Sequence, residues 1–221
     1  VLEGASDFKA ALNDLIRDTF SKHKRIIFNG NGYDDAWVKE AVENRGLLNL
    51  KTTPDCMPYL ISKKNLDMLV SHNVYSSEEL HSRYEILLTN YCKVIKIEAL
   101  TMLDMTRRHI LPAIGAYVSE IASMAAAKMA VSGNIDCSYE KSLLERLSAL
   151  MSIISSRAEE LEEKVNKVHG IQDVTEQSYG YRDLVIPKMS ELRAAVDEAE
   201  LITAVKHWPF PSYGDLLYSV R

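Results

Sequence analysis

Apolar residues recur at three- and four-residue steps along most of this chain, and the breakers between such runs mark where helices begin and end. Phe8, Leu12, Leu15, Ile16 and Phe20 share one face of a helix running from Ser6 to Lys24. Arg25 to Phe28 is short and β-prone, and Asn29 to Gly32 is a turn. Asp34 or Asp35 offers a carboxylate to the unpaired amides of the next helix, which carries Trp37, Val38, Ala41 and Val42 and stops near Gly46. "LLNLKTTPDCMP" reads as extended, punctuated by Pro54 and Pro58, and a short helix from Lys63 to Val70 follows.

Ser76-Ser77-Glu78-Glu79 is the strongest helix start in the chain. Ser76 and Glu79 fit a capping box, in which each side chain satisfies the other residue's amide. The helical pattern then runs to Ser132, roughly 80 Å of helix at ~1.5 Å per residue. Pro112 lacks the amide an intact ladder needs, so a kink or break is expected just before it. Ser132 to Asp136 is a tight turn. The next helix carries Leu143, Leu147, Leu150, Ile154, Ala158, Leu161, Val165 and Val168 at steps of 4, 3, 4, 4, 3, 4 and 3, a coiled-coil-like seam.

His169 to Asp173 breaks that seam. A last pattern returns through Leu184, Val185, Met189, Leu192, Val196, Ala199 and Ile202, with Pro187 as a second kink point. The tail "HWPFPSYGDLLYSV" is not helical through its prolines, and its aromatics suit either a docked tail or an exposed sticky peptide.

The predicted fold is mainly α: long antiparallel helices in a bundle, preceded by a smaller, mostly helical part with one short strand or extended segment. The division is expected at residues 1–75 and 76–221, with no linker between the two.

Composition narrows the function classes. A chain of 221 residues with 47% hydrophobic content buries a real core, roughly 70% of its unfolded surface at this length. Net charge is −5, with no basic stripe for nucleic acid and no Lys/Arg block for a membrane surface. Cys56, Cys92 and Cys137 are an odd count without CxxC spacing, which points to reduced thiols in a cytoplasmic protein. The most apolar stretch, Ile110 to Val131, carries Glu120 and Lys128 and reads as too interrupted to span a bilayer. The chain starts without methionine, and "VLEGASDF" reads as a piece of something longer.

Candidate chemistry is sparse. "FNGNGYDD" has the glycines and helix start of a phosphate loop, but it lacks GxGxxG and GKS and sets two carboxylates where the anion would sit. Glu78 and His81 have the ExxH spacing of a ferritin-like iron site, without the second copy such sites need. Arg107, Arg108 and His109 form a positive cluster, read as a solvated helix face beside Asp104. Glu159, Glu160, Glu162 and Glu163 read as the wet side of the seam. No GxSxG or Cys/His signature appears, and the eight methionines sit at core-like positions. Residues and spacing therefore nominate no catalytic, cofactor-binding or metal-binding residue.

Longer phrases say more. "RIIFNGNGYDDAWVKEAVENRGLLNLKTTPD", "HSRYEILLTNYCKVIKIEALTMLDMTRRHILPA", "YRDLVIPKMSELRAAVDEAE" and "HWPFPSYGDLLYS" occur in order, and together they resemble the C-terminal region of type III glutamine synthetases. The resemblance implies a fragment of a longer ligase that joins ammonia to glutamate using ATP and Mg or Mn, in large rings with active sites between subunits. Family residues for metal, nucleotide and glutamate would lie upstream of Val1, so none is carried over. Phosphorylating a carboxylate needs clustered acids for metal and cations for the phosphoryl group, and no such cluster stands out here.

The expected role is thus non-catalytic, structural or oligomerising, within a homo-oligomeric enzyme of nitrogen metabolism. The partners implied are the rest of the enzyme and its neighbouring subunits, with no nucleic acid and no membrane. The chain alone should make no glutamine. Two competing readings are a free-standing helical scaffold, resting on the Leu143 to Val168 seam, and a bundle metalloenzyme, resting on Glu78 and His81.

Overall fold

The structure, a computed structural model, describes residues 2–218. Two compact units divide between Thr52 and Thr53. This boundary puts the two helices that follow Thr52 with the larger, helical unit.

In the first unit, α1 spans Phe8–His23, and the Asp7 carboxylate caps it by accepting the amides of Lys9 and Ala10. A single 3₁₀ turn, Lys24–Ile26, follows. α2, Asp35–Lys39, runs directly into a π turn at Glu40–Asn44. The short strand expected at Arg25 to Phe28 is not formed, and no strand occurs among the described residues. A strand needs a neighbour for its backbone groups. Here Arg45 takes that place, its Nη1 donating to the carbonyls of Arg25 (3.3 Å) and Ile27 (3.0 Å). Phe28 stacks on Trp37 with ring centroids 3.7 Å apart, and the Arg45 guanidinium lies 4.9 Å from the Trp37 ring. Gly30 leaves room for that stack, since a Cβ there would fall 2.5 Å from the Phe28 ring and displace it.

The second unit begins with α3, Thr53–Leu60, and α4, Lys63–Ser71. The extended segment expected through Pro54 and Pro58 is helical instead. Pro54 occupies the first turn, where its missing amide costs nothing. Pro58 lies inside the helix and cannot donate to the Pro54 carbonyl. The Tyr179 hydroxyl donates to that carbonyl instead, at 3.4 Å. The proline defect thus becomes a contact between distant parts of the sequence.

α5, Ser77–Met105, and α6, Leu111–Val131, form one continuous helix of 55 residues. The Ser76/Glu79 capping box opens it. No break precedes Pro112; a π turn at Thr106–Ile110 absorbs the proline, and the helix continues. Pro187 is accommodated likewise, by a π turn at Tyr181–Val185 between α8, Val174–Gly180, and α9, Ile186–Ile202.

By length and composition alone, the helix Ser77–Val131 holds a window apolar enough to cross a membrane, contrary to the reading of Ile110 to Val131 as too interrupted. Its inner face, Ile114, Ile121 and Ala125, is buried, and Glu120 and Lys128 are both ion-paired.

α7, Ser138–His169, follows the turn after Val131 and carries the predicted seam. Leu147, Leu150, Ile154, Ala158, Leu161, Val165 and Val168 are all buried, and Leu143 packs at the edge. α6, α9, α5 and α8 all pack against α7. The short turn between α6 and α7 makes them antiparallel. A Cβ at Gly180 would lie 3.0 Å from Val168, so the glycine lets α8 approach the end of the seam without displacing that side chain.

The tail is docked, with Trp208 and Phe210 packed on the core. Beyond the prolines a short α10, Tyr213–Leu217, forms behind a second capping box, Ser212 with Asp215. The last part of the tail phrase, Ser219 and Val220, lies outside the described residues.

Leu161 is completely buried, so Leu161→Ala is expected to cost about 3 kcal/mol and Leu161→Asp more. Tyr179→Phe, which strands the Pro54 carbonyl, is expected to cost about 1 kcal/mol. Urea unfolding followed by circular dichroism measures both, and an unchanged midpoint for Leu161→Asp would mean the seam is not the core.

Candidate functional site

In the glycine loop, side-chain oxygens engage the backbone around the helix start. Asp34 accepts the Ala36 amide at 3.0 Å, and Asn31 accepts the Tyr33 amide at 3.1 Å. Two of the amides near an anion's place are thus taken by side-chain oxygens, and Asp35 adds a further negative charge in the first turn.

The ExxH pair is held by its own helix end. The His81 Nδ1–H donates to the Ser77 carbonyl at 2.8 Å, tying the ring to its own helix. Bonds from its own amide and from Ser76 hold the Glu78 carboxyl below its ordinary range. Among the described residues, no three His, Cys, Asp or Glu side chains converge as metal ligands.

The positive cluster and the acidic run do meet, which spacing did not reveal. Arg107 forms a two-pronged bond to Glu162 at 2.9 and 2.6 Å, joining the π turn after α5 to α7. Arg108 pairs with Asp104 at 3.2 Å, and the His109 ring lies 6.3 Å from Phe210. Glu160 is not simply on a wet face. It accepts from Lys188 of α9 at 2.8 Å and from Arg157 at 2.9 Å, while Arg157 also reaches Glu191 at 2.7 Å. Lys188 and then Arg157 hold the Glu160 carboxyl below its ordinary range, and Arg107 does the same for Glu162.

Three further clamps join remote segments. Arg182 binds Asp55 of α3 and also Asp183, and it lies 4.8 Å from the Tyr179 ring. Lys128 of α6 binds the buried Glu140 of α7. Glu120 of α6 takes Lys206 at 2.6 Å and His207 at 2.7 Å, anchoring the tail. Beside that anchor, Trp208 and Phe210 line an open pocket of about 310 Å³ with Met102, Met105, Leu192 and Val196. These clamps span up to 127 positions of sequence, and no local pattern announces them. The Tyr91 hydroxyl is buried with no hydrogen-bond partner among the described residues, and burial pushes its phenol up.

Together these features define an all-helical domain in which helix-facing charges pair across the bundle. The family model described as "Glutamine synthetase C-terminal domain" matches residues 11–129, more than half of the chain. The chain is 38% identical to a glutamine synthetase of Butyrivibrio fibrisolvens over 97% of its length, and 33% identical to the type-3 glutamine synthetase of Dictyostelium discoideum over 96%. It is 23% identical to a glutamine synthetase of Bacteroides fragilis over 97% of its length. It spans only 31%, 29% and 32% of those relatives. The chain belongs to the glutamine synthetase C-terminal domain family.

The tail anchor gives a pH prediction. Lys206 and then His207 hold the folded Glu120 carboxyl below its ordinary 4.5. A depressed carboxyl stabilises the fold above that ordinary value, and the stabilisation fades as pH falls through the folded value. Trp208 fluorescence, read in a Trp37→Phe background, should therefore change below about pH 4.5 as the tail loosens. Glu120→Gln should show the loosened signal at neutral pH. Identical acid profiles for the two proteins would remove Glu120 as the anchor.

Proposed function

We propose that this chain is the C-terminal helical part of a larger glutamine synthetase and acts by packing and assembly, leaving the chemistry to other parts of that enzyme. The whole enzyme would ligate ammonia to glutamate at the expense of ATP, giving glutamine, ADP and phosphate. The observation that carries this reading is the use of charge. Arg182–Asp55, Lys188–Glu160, Arg107–Glu162, Arg146–Glu198 and Lys206–Glu120 each join separate segments of the helical unit. Carboxylates held in such pairs fix helices against one another; they are not gathered around a common point where a divalent ion could bridge phosphates.

ATP and Mg or Mn, which the family implies, do not fit the residues present. The glycine loop sets Asp34 and Asp35 at the helix start, and Glu120, Glu160, Glu162 and Asp55 are each engaged by a cation. No step is routed through this chain. Residues 1–75 are read as the connector that leads from the catalytic region into the bundle, and 76–221 as the bundle; α3 and α4 belong with the bundle side. The protein is read as a cytoplasmic homo-oligomer outside any membrane. Exposed apolar residues on α5, among them Ile86 and Ile97 at 62% and 63% exposure, offer surface for neighbouring subunits.

Glutamine formation from glutamate, ammonia and ATP tests this. A polypeptide that continues upstream of Val1 in the native reading frame is expected to be active, and the 221-residue chain alone to match a no-protein blank. Turnover by the chain alone, or an upstream frame with no synthetase activity, would overturn the reading, the latter in favour of a free-standing scaffold.

A further inference from the structure

α1 is built to pack and has nothing in its unit to pack on. Its 16 residues are capped at the start by Asp7 and carry Lys22 and His23 in the last turn, so its ends are well made. Phe8, Leu12, Ile16 and Phe20 lie four residues apart on one face, with Leu15 beside them. Phe8, Ile16 and Phe20 are nonetheless 57%, 47% and 61% exposed, and α1 buries no residue. Among the described residues of the first unit, Ala41 is the one that is buried. The polar side of α1 does not need a partner, because Arg17 is already paired with Asp14 at 2.8 Å. An isolated helix of this length is marginal in water, so its stability has to come from whatever covers the apolar face.

We infer that the Phe8–Phe20 face of α1 docks on the upstream body of the same polypeptide, the catalytic part that the relatives possess and this chain does not span. The inference rests on the reading given under Proposed function and adds to it the residues that make the junction. Two observations favour this occupant. The relatives aligned here are about three times as long as this chain, which covers 31% and 29% of the first two. The match to the C-terminal domain model starts at residue 11, inside α1, so the helix lies at the upstream end of the matched region. A body joined covalently just before α1 also competes at an effective concentration on the order of millimolar, which a second copy at micromolar concentration does not reach.

Hydrogen exchange of residues 8–23, compared between the 221-residue chain and the polypeptide extended upstream in its native frame, tests the inference. Exchange of α1 is expected to be at least 100-fold slower in the extended protein. Ile16→Asp with Phe20→Asp should abolish that protection and lower the extended protein's melting temperature, whereas Asp18→Ser, on the polar side, should change neither. The same double variant should leave the unfolding midpoint of the 221-residue chain unchanged. Strong, dilution-independent protection in the 221-residue chain would overturn the inference, because the face would then be covered from within. Protection that grows with concentration would overturn it in favour of a second copy, and rapid exchange in the extended protein would overturn it outright. Protection of α1 in an extended protein that makes no glutamine would uphold the docking while removing the synthetase reading, so the two failures are separable.

Discussion

The buried face of α7 is the constraint on which the helical unit depends. Leu147, Ile154, Leu161 and Val168 have no exposed surface, and helices α5, α6, α8 and α9 all lean on this one rod. Each such side chain contributes about 2 kcal/mol by leaving water. That gain has to offset the ordering of α9 and of the tail, whose residues come from far along the chain. The seam succeeds because its steps of three and four residues keep every apolar position on one stripe, wide enough to meet partners on more than one side.

Given that stripe, the prolines become a matter of local accommodation. A proline inside a helix removes one amide and crowds the preceding turn. At Pro112 and Pro187 the chain widens to a π turn just upstream, and both helices still pack along α7. At Pro58 the unpaired carbonyl is satisfied from outside by Tyr179. The charges are arranged in the same spirit. They sit at the margins of the seam, where exposed pairs are worth little individually but choose which helix lies beside which. Arg182, held by two aspartates and laid on Tyr179, fixes α3 against the bundle in a way that no apolar contact would specify.

This division explains what could be read from the sequence. The long helices, their capping box, the turn after Val131 and the seam from Leu147 to Val168 were legible because helical periodicity and end signals are local. Arg25 to Phe28 misled because β-propensity describes a fit to a neighbouring strand that this unit does not supply. Pro54 misled because proline also suits the first turn of a helix, and Pro58 because the carbonyl it leaves without an amide is met by a residue more than a hundred positions away. The candidate chemistry followed the same rule. The loop at Asn29 to Asp35 could be judged from its own carboxylates, but the partners of Glu160, Glu162 and Glu120 exist only once the helices are stacked.

The two units differ in a way that bears on how such a domain is used. The helical unit buries a continuous set of apolar residues along α7, so it has a core of its own. The first unit has well-formed ends, an aromatic stack and a capped helix, yet only Ala41 is buried among its described residues. Aromatic stacking and a guanidinium against an indole ring are each worth only about 1 kcal/mol, too little to order some fifty residues. The apolar stripe of α1 is therefore not surplus surface. It is the part of the sequence whose helical period was written for a partner that the unit itself does not contain.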